Sequence, residues 1–122
     1  MKILVVDDSV FSQKITCNLM KGLLKDAEFV VAGDGEEGLE KYMAIQPDYL
    51  FVDLLMPKLD GKELIRLVKE HNNSAKIIVI TADVQKNVKE EMEKSDILAF
   101  INKPLNEEKA KMISALINGE AL

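Results

Sequence analysis

Five side chains of this 122-residue chain have chemistry that could work in concert: Asp7, Asp8, Asp53, Thr81 and Lys103. Each stands at the end of a short apolar run, or just after it. Asp7-Asp8 follow Ile3 to Val6, and Asp53 follows Tyr49 to Val52. Thr81-Ala82 close the run Ile77 to Ile80, and Lys103-Pro104 come just beyond Ala99 to Ile101. If these ends meet in space, three carboxylates share one rim. Neighbouring carboxylates repel unless a cation lies between them or their pKa values rise. Oxygen donors without His or Cys favour a hard ion, and Mg²⁺ suits because it takes few carboxylates and keeps waters. The Lys103 ammonium opposes the acids and can hold a second anion; the Thr81 hydroxyl beside it completes a setting for a phosphoryl group. Singly, each residue has an ordinary role: a helix-capping Asp, a strand Thr, a surface Lys. Only their joint placement carries chemistry.

The elements that must position them follow from the hydrophobic pattern. Adding Glu28 to Ala32 gives five brief runs, mostly β-branched or aromatic, and four lack clean alternation. Strands covered on both faces read this way. Helical patterns separate them. Phe11, Ile15, Leu19 and Leu23 recur every fourth residue behind a Ser9 cap and are expected to face the core. Gln13, Cys17, Met20 and Leu24 fall opposite, where they would pack on a neighbouring helix or meet a partner. Leu39, Tyr42 and Met43 follow the acids Glu36-Glu37, which suit a helix start. Leu64, Ile65 and Val68 follow Gly61, and Val84, Val88 and Met92 form a thin stripe amid Lys and Glu. Ala110, Ile113, Leu116 and Ile117 make a last face ended by Gly119. Strands alternating with helices imply an α/β fold, a parallel sheet with helices on both sides. In such sheets ligands lie at the carboxyl ends of strands, near the point where strand order reverses. The five reactive side chains stand at those ends.

Length and charge narrow the options. The chain is sized for one domain, residues 1–122. Its 48% hydrophobic and 30% charged residues are a globular balance. A net charge of −5 opposes nucleic acid as a partner. No apolar run approaches the roughly 20 residues that span a bilayer, and Asp7-Asp8 come too early for a secretory signal. The one cysteine, Cys17, excludes an internal disulfide and reads as a reduced thiol, so a cytoplasmic setting is expected. His71, the one histidine, reads as a surface residue.

Four segments are specific together: Val6-Asp7-Asp8; the loop from Asp53 through Leu55, Met56, Pro57 and Asp60 to Gly61; Ile80-Thr81-Ala82; and Phe100-Ile101-Asn102-Lys103-Pro104. From about Lys2 to Ile117 the chain resembles the response-regulator receiver domains of two-component signalling. The resemblance implies a flavodoxin-like, doubly wound sheet of five parallel strands in the order 2-1-3-4-5, with five helices. It implies that Asp53 is a nucleophile taking a phosphoryl group from a phosphohistidine on a sensor histidine kinase or a phosphotransfer protein. Asp8 and Asp53 would hold Mg²⁺ by carboxylate and Leu55 by its backbone carbonyl; Asp7 would act through water and by positioning Lys103. Lys103 would pair with Asp53 at rest and with the phosphoryl group afterwards, beside a cis Lys103-Pro104 bond. Thr81 would bond a phosphoryl oxygen and move towards it, the small Ala82 leaving access, while Phe100 turns inward as the switching aromatic.

The resemblance also implies partners. A chain this short is expected to carry no DNA-binding or enzymatic output domain, so an output protein, as in chemotaxis, would be reached by docking. A phosphatase could assist its reset, and the monomer could pair when phosphorylated. One departure is Leu55, apolar where some fast-cycling chemotaxis receivers carry an amide that helps position water; Asp83 could still orient water. Slow self-hydrolysis is the expected result. Three rivals stand beside this reading. An aspartate-nucleophile phosphohydrolase would want a second Asp where Leu55 stands. A flavin or nucleotide module would want a Gly- or Thr-rich loop in place of Asp7-Asp8-Ser9. A non-phosphorylated docking domain would be expected to lack a key side chain.

Overall fold

The apolar runs of the three central strands lack alternation because both faces of each are buried. In β1 (Lys2–Val6), Ile3 and Val5 enter one core, while Leu4 and Val6 enter another. The same division holds in β3 (Tyr49–Val52) and β4 (Ile77–Thr81): Leu50, Val52, Ile77 and Val79 face one way, Phe51, Ile78 and Ile80 the other. The computed structural model describes residues 1–83 and 85–119. Val84, expected in the fourth helical stripe, and residues 120–122 of the expected domain lie outside the described residues.

With β2 (Glu28–Ala32) and β5 (Ala99–Asn102), these strands form one parallel sheet in the order β2-β1-β3-β4-β5, as expected. Helices α1 (Val10–Leu23) and α5 (Glu107–Ile117) cover one face. Helices α2 (Gly35–Ile45), α3 (Gly61–His71) and α4 (Lys86–Glu93) cover the other. The chain steps from β1 out to β2, then back past β1 to β3. Strand order therefore reverses between β1 and β3, where such sheets leave a crevice. No helix among the described residues is long and apolar enough to cross a membrane.

Helix starts follow local chemistry. Ser9 Oγ accepts from the Ser12 amide at 3.2 Å and opens α1 as expected. Asp34 caps α2, Asp60 caps α3 and Asn106 caps α5, each by a carboxylate or amide oxygen accepting from the amide three residues on.

The face of α1 corrects the sequence reading. Cys17, Met20 and Leu24 are buried against the sheet and α5, with Gln13 half-buried on the same side. Phe11 is 73% exposed, and Ile15, Leu19 and Leu23 only flank the core. The reason is geometric: a strict four-residue step drifts about 40° per step around a helix, whereas steps of four, three and four stay on one face. Gln13, Cys17, Met20 and Leu24 have that second spacing. Met43 and Leu116 also sit further from the core than their patterns implied; Tyr42, Ala110, Ile113 and Ile117 are buried as expected.

Candidate functional site

Adjacent strands bring the acids together. β1 pairs with β3 in register, Val6 opposite Val52, so the residues just beyond them, Asp7 and Asp53, emerge side by side. The Asp53 amide donates to the Val6 carbonyl at 3.0 Å, and the Asp7 amide to the Ala32 carbonyl at 3.0 Å. These bonds continue the ladders and fix both backbones. Asp8 follows at the exposed mouth, and one carboxylate oxygen from each of Asp7, Asp8 and Asp53 lies within 4.8 Å of the other two. Thr81 ends β4, fully buried, and Lys103 lies one residue past β5, its amide donating to the Thr81 carbonyl at 2.8 Å. β5 stands two strands from β3, about 10 Å away at normal spacing, which only a long side chain spans. Lys103 spans it: Nζ donates to Asp53 Oδ2 at 2.8 Å and to Asp7 Oδ2 at 2.8 Å. The Lys103-Pro104 peptide bond is cis, as expected.

The charges are unbalanced. Among the described residues, the ammonium bonded to these carboxylates is Lys103 alone, against three acids. Burial pushes the Asp7 carboxyl up from its ordinary value, although Lys103 and the Ser9 amide pull it back. Burial alone would pull Lys103 down, but hydrogen bonds and charge from Asp53 and Asp7 together hold it above the usual lysine value. It therefore stays charged at neutral pH. One cation for three clustered oxygens leaves room for a second, and an all-oxygen donor set fits Mg²⁺.

The other expected residues divide. The Leu55 amide donates to Asp53 Oδ1 at 3.1 Å, holding the nucleophile candidate's second oxygen, and its side chain is 52% exposed. Thr81 Oγ1 accepts from the Asp83 amide at 3.3 Å. Asp83 Oδ1 accepts from the Gln85 amide at 3.0 Å, so that carboxylate shapes its own loop. Ala82 is exposed, and Phe100 is half-buried against the α4 side of the core. His71 is exposed at the end of α3, and Cys17 is a buried free thiol, its pKa raised by that burial. Ser12 was not visible in the sequence as a site residue. Its Oγ lies 3.3 Å from Lys103 Nζ, completing three acceptors for a three-donor ammonium. Only its position one turn past Ser9, on the helix face towards Asp7, could have flagged it.

Comparison with known proteins places this geometry. A family model described as the response regulator receiver domain matches residues 3–115. The chain is 34% identical over 107 residues to the chemotaxis protein CheY of Listeria monocytogenes, covering 85% of this chain and 87% of that protein. It is 30% identical to a protein-glutamate methylesterase/protein-glutamine glutaminase of Geobacter sulfurreducens, but spans only 28% of it. Among solved structures, a CheX-CheY-BeF3-Mg complex from Borrelia burgdorferi aligns with a TM-score of 0.88 at 27% identity, covering 97% of this chain and 89% of that one.

Proposed function

We propose that this chain, which belongs to the response regulator receiver domain family, is a phosphoacceptor switch that takes a phosphoryl group on Asp53 and signals by protein contact. The observation that carries the proposal is the 2.8 Å bridge from Lys103 to both Asp53 and Asp7, residues 50 and 96 positions away in the sequence. In the proposed step, a carboxylate oxygen of Asp53 attacks the phosphorus of a phosphohistidine on a kinase or phosphotransfer protein. A P–O bond forms, the P–N bond breaks, and the imidazole departs with the bonding pair and is protonated by solvent. The product is an acyl phosphate on Asp53.

The roles of this chain's residues follow from their contacts. The Leu55 amide holds one Asp53 oxygen and Lys103 the other, so the nucleophile is oriented before the donor arrives. Lys103 then transfers part of its bonding to the new phosphoryl oxygens, still tethered by Asp7. Thr81, on the strand between them, has a hydroxyl that bonds a phosphoryl oxygen once it leaves the Asp83 amide. Phe100 is the aromatic that answers this movement. Asp8 and Asp53 by carboxylate, and Leu55 by carbonyl, would hold Mg²⁺, with Asp7 reaching it through water. The ion, when bound, neutralises charge on the transferring group.

The proposal takes residues 1–122 as one receiver domain, in the cytoplasm, without catalytic turnover of a substrate. Chemotaxis is the proposed pathway, on the likeness to proteins named CheY. The test is incubation with acetyl phosphate, with and without Mg²⁺, followed by intact-mass measurement. The expected result is one metal-dependent HPO₃ adduct, lost in Asp53→Asn. Steady hydrolysis of phosphate esters would instead favour the phosphohydrolase.

A further inference from the structure

The loop that carries Lys103 is gripped from outside the site. On α5, Lys109 Nζ donates to the carbonyl of Asn102 at 2.7 Å and to that of Pro104 at 3.3 Å, the residues on either side of Lys103. The Asn102 side chain in turn donates through Nδ2 to the Asp83 carbonyl at 3.3 Å, in the loop that follows Thr81. A chain of contacts therefore runs from α5, around Lys103, to the loop beyond β4.

The placement of Lys109 is locally unfavourable. Asn106 caps α5, so Lys109 is the third residue of the first turn, where the helix dipole favours acids and disfavours cations. Its two predecessors, Glu107 and Glu108, obey that rule. A residue that breaks a local rule marks a place where another contact repays it. Here the repayment is a pair of charge-assisted hydrogen bonds to peptide oxygens. Those oxygens flank the one residue whose ammonium must stay within bonding reach of Asp53 while the phosphoryl group arrives.

We infer that Lys109 and Asn102 are positioning residues: Lys109 fixes the peptide on both sides of Lys103, and Asn102 ties that peptide to the loop beyond Thr81, so that the ammonium and the hydroxyl are held in one frame. The inference rests on the phosphoacceptor reading. It concerns placement of Lys103, and Asp8 and Asp53 remain the residues for the metal.

The experiment compares wild type with Lys109→Met, Lys109→Arg and Asn102→Val. Each is titrated with Mg²⁺ and acetyl phosphate, and the adduct is followed by intact mass. Lys109→Met keeps the stem without its donors. It is expected to slow the maximal rate of adduct formation about tenfold, as loss of orientation does, with half-saturating Mg²⁺ unchanged. Lys109→Arg, which retains donors for both carbonyls, restores most of the rate. Asn102→Val gives a smaller loss in the same direction. Without any phosphodonor, the Lys103 ammonium resonance of the ¹⁵N-lysine-labelled protein, assigned with Lys103→Arg, shifts or broadens in Lys109→Met. A Lys109→Met chain whose thermal midpoint falls while its folded fraction reacts at the wild-type rate, with an unmoved Lys103 resonance, would overturn the inference and leave the phosphoacceptor reading intact. No adduct on wild type would remove that reading, and the brace's purpose with it.

Discussion

Two helices leave the site on the same face of the sheet, and they are anchored very differently. α3 starts from the loop after Asp53, and α4 from the loop after Thr81. α3 is capped by Asp60 and buries Gly61, Leu64, Ile65 and Val68. Gly61 lies so close to the backbone around Asp53 that a Cβ there would approach the Asp53 carbonyl and stand 2.5 Å from Leu54 Cα. α4 has eight residues and buries Val88 and Met92, and among the described residues no side chain caps its first amides. The Asp53 wall is thus packed tightly and the Thr81 wall lightly. Segments with few buried contacts open at lower free energy than the rest of a fold. A switch needs this division: the acceptor must not move when modified, and the reporter must.

The comparison can be broken at the tight wall first. Gly61→Ala is expected to cost about 3 kcal/mol or more, because rigid backbone must shift to admit the methyl group. Urea unfolding would read the loss, and a change below about 1 kcal/mol would show that the wall yields. Next, Leu64→Ala is expected to cost about 2–5 kcal/mol by leaving a cavity under α3. Val88→Ala should cost about 1–2 kcal/mol, from a smaller side chain on a helix with fewer contacts to lose. Equal losses in the same urea series would erase the contrast. Smaller again is Leu55→Asn, on the tight side yet 52% exposed. An amide there can position water beside the acyl phosphate, so the adduct should decay about tenfold faster, worth about 1.4 kcal/mol in barrier. An unchanged decay, followed by intact mass after removing the donor, would make Leu55 irrelevant to lifetime.

Much of this contrast was open to sequence reasoning, and the remainder was not for definite physical reasons. The three central strands, buried on both faces, announce themselves by apolar runs without alternation, the edge strands β2 and β5 by brief apolar runs that are only partly buried, and the parallel sheet follows from the intervening helices. Asp7, Asp8, Asp53, Thr81 and Lys103 could be placed because strand ends are a topological address. The buried face of α1 was inverted because Phe11, Ile15, Leu19 and Leu23 make the more obvious stripe, although their spacing walks around the helix. Ser12, Asn102 and Lys109 were missed for another reason. Ser12 and Asn102 touch residues distant in sequence, Lys103 and Asp83, at 3.3 Å each, and Lys109 folds back to lie 2.7 Å from the Asn102 carbonyl seven residues earlier; no pattern of residue types encodes these contacts. The absence of a cap at Gln85 was readable, since glutamine is a poor helix-capping residue, but its consequence appears only beside the well-capped α3.

That missing cap supplies the finest probe of the comparison. Gln85 already has extended backbone angles, φ −66° and ψ 129°, and its carbonyl accepts from the Val88 and Lys89 amides at 3.2 and 3.3 Å. What it lacks is a short side-chain oxygen to take a first-turn amide. Gln85→Ser provides one without adding charge next to Asp83, whose carboxylate already accepts from the residue-85 amide. A serine cap is worth about 0.5–1 kcal/mol to the helix it begins. If α4 opens on its own, that gain falls on α4 alone, and its amides should exchange hydrogen about two- to fivefold more slowly while those of α3 keep their rates. Exchange measured residue by residue separates the cases. Slowing of α3 and α4 by the same factor would mean that the two walls open as one unit, and the light anchorage of α4 would then have no independent part in the switch.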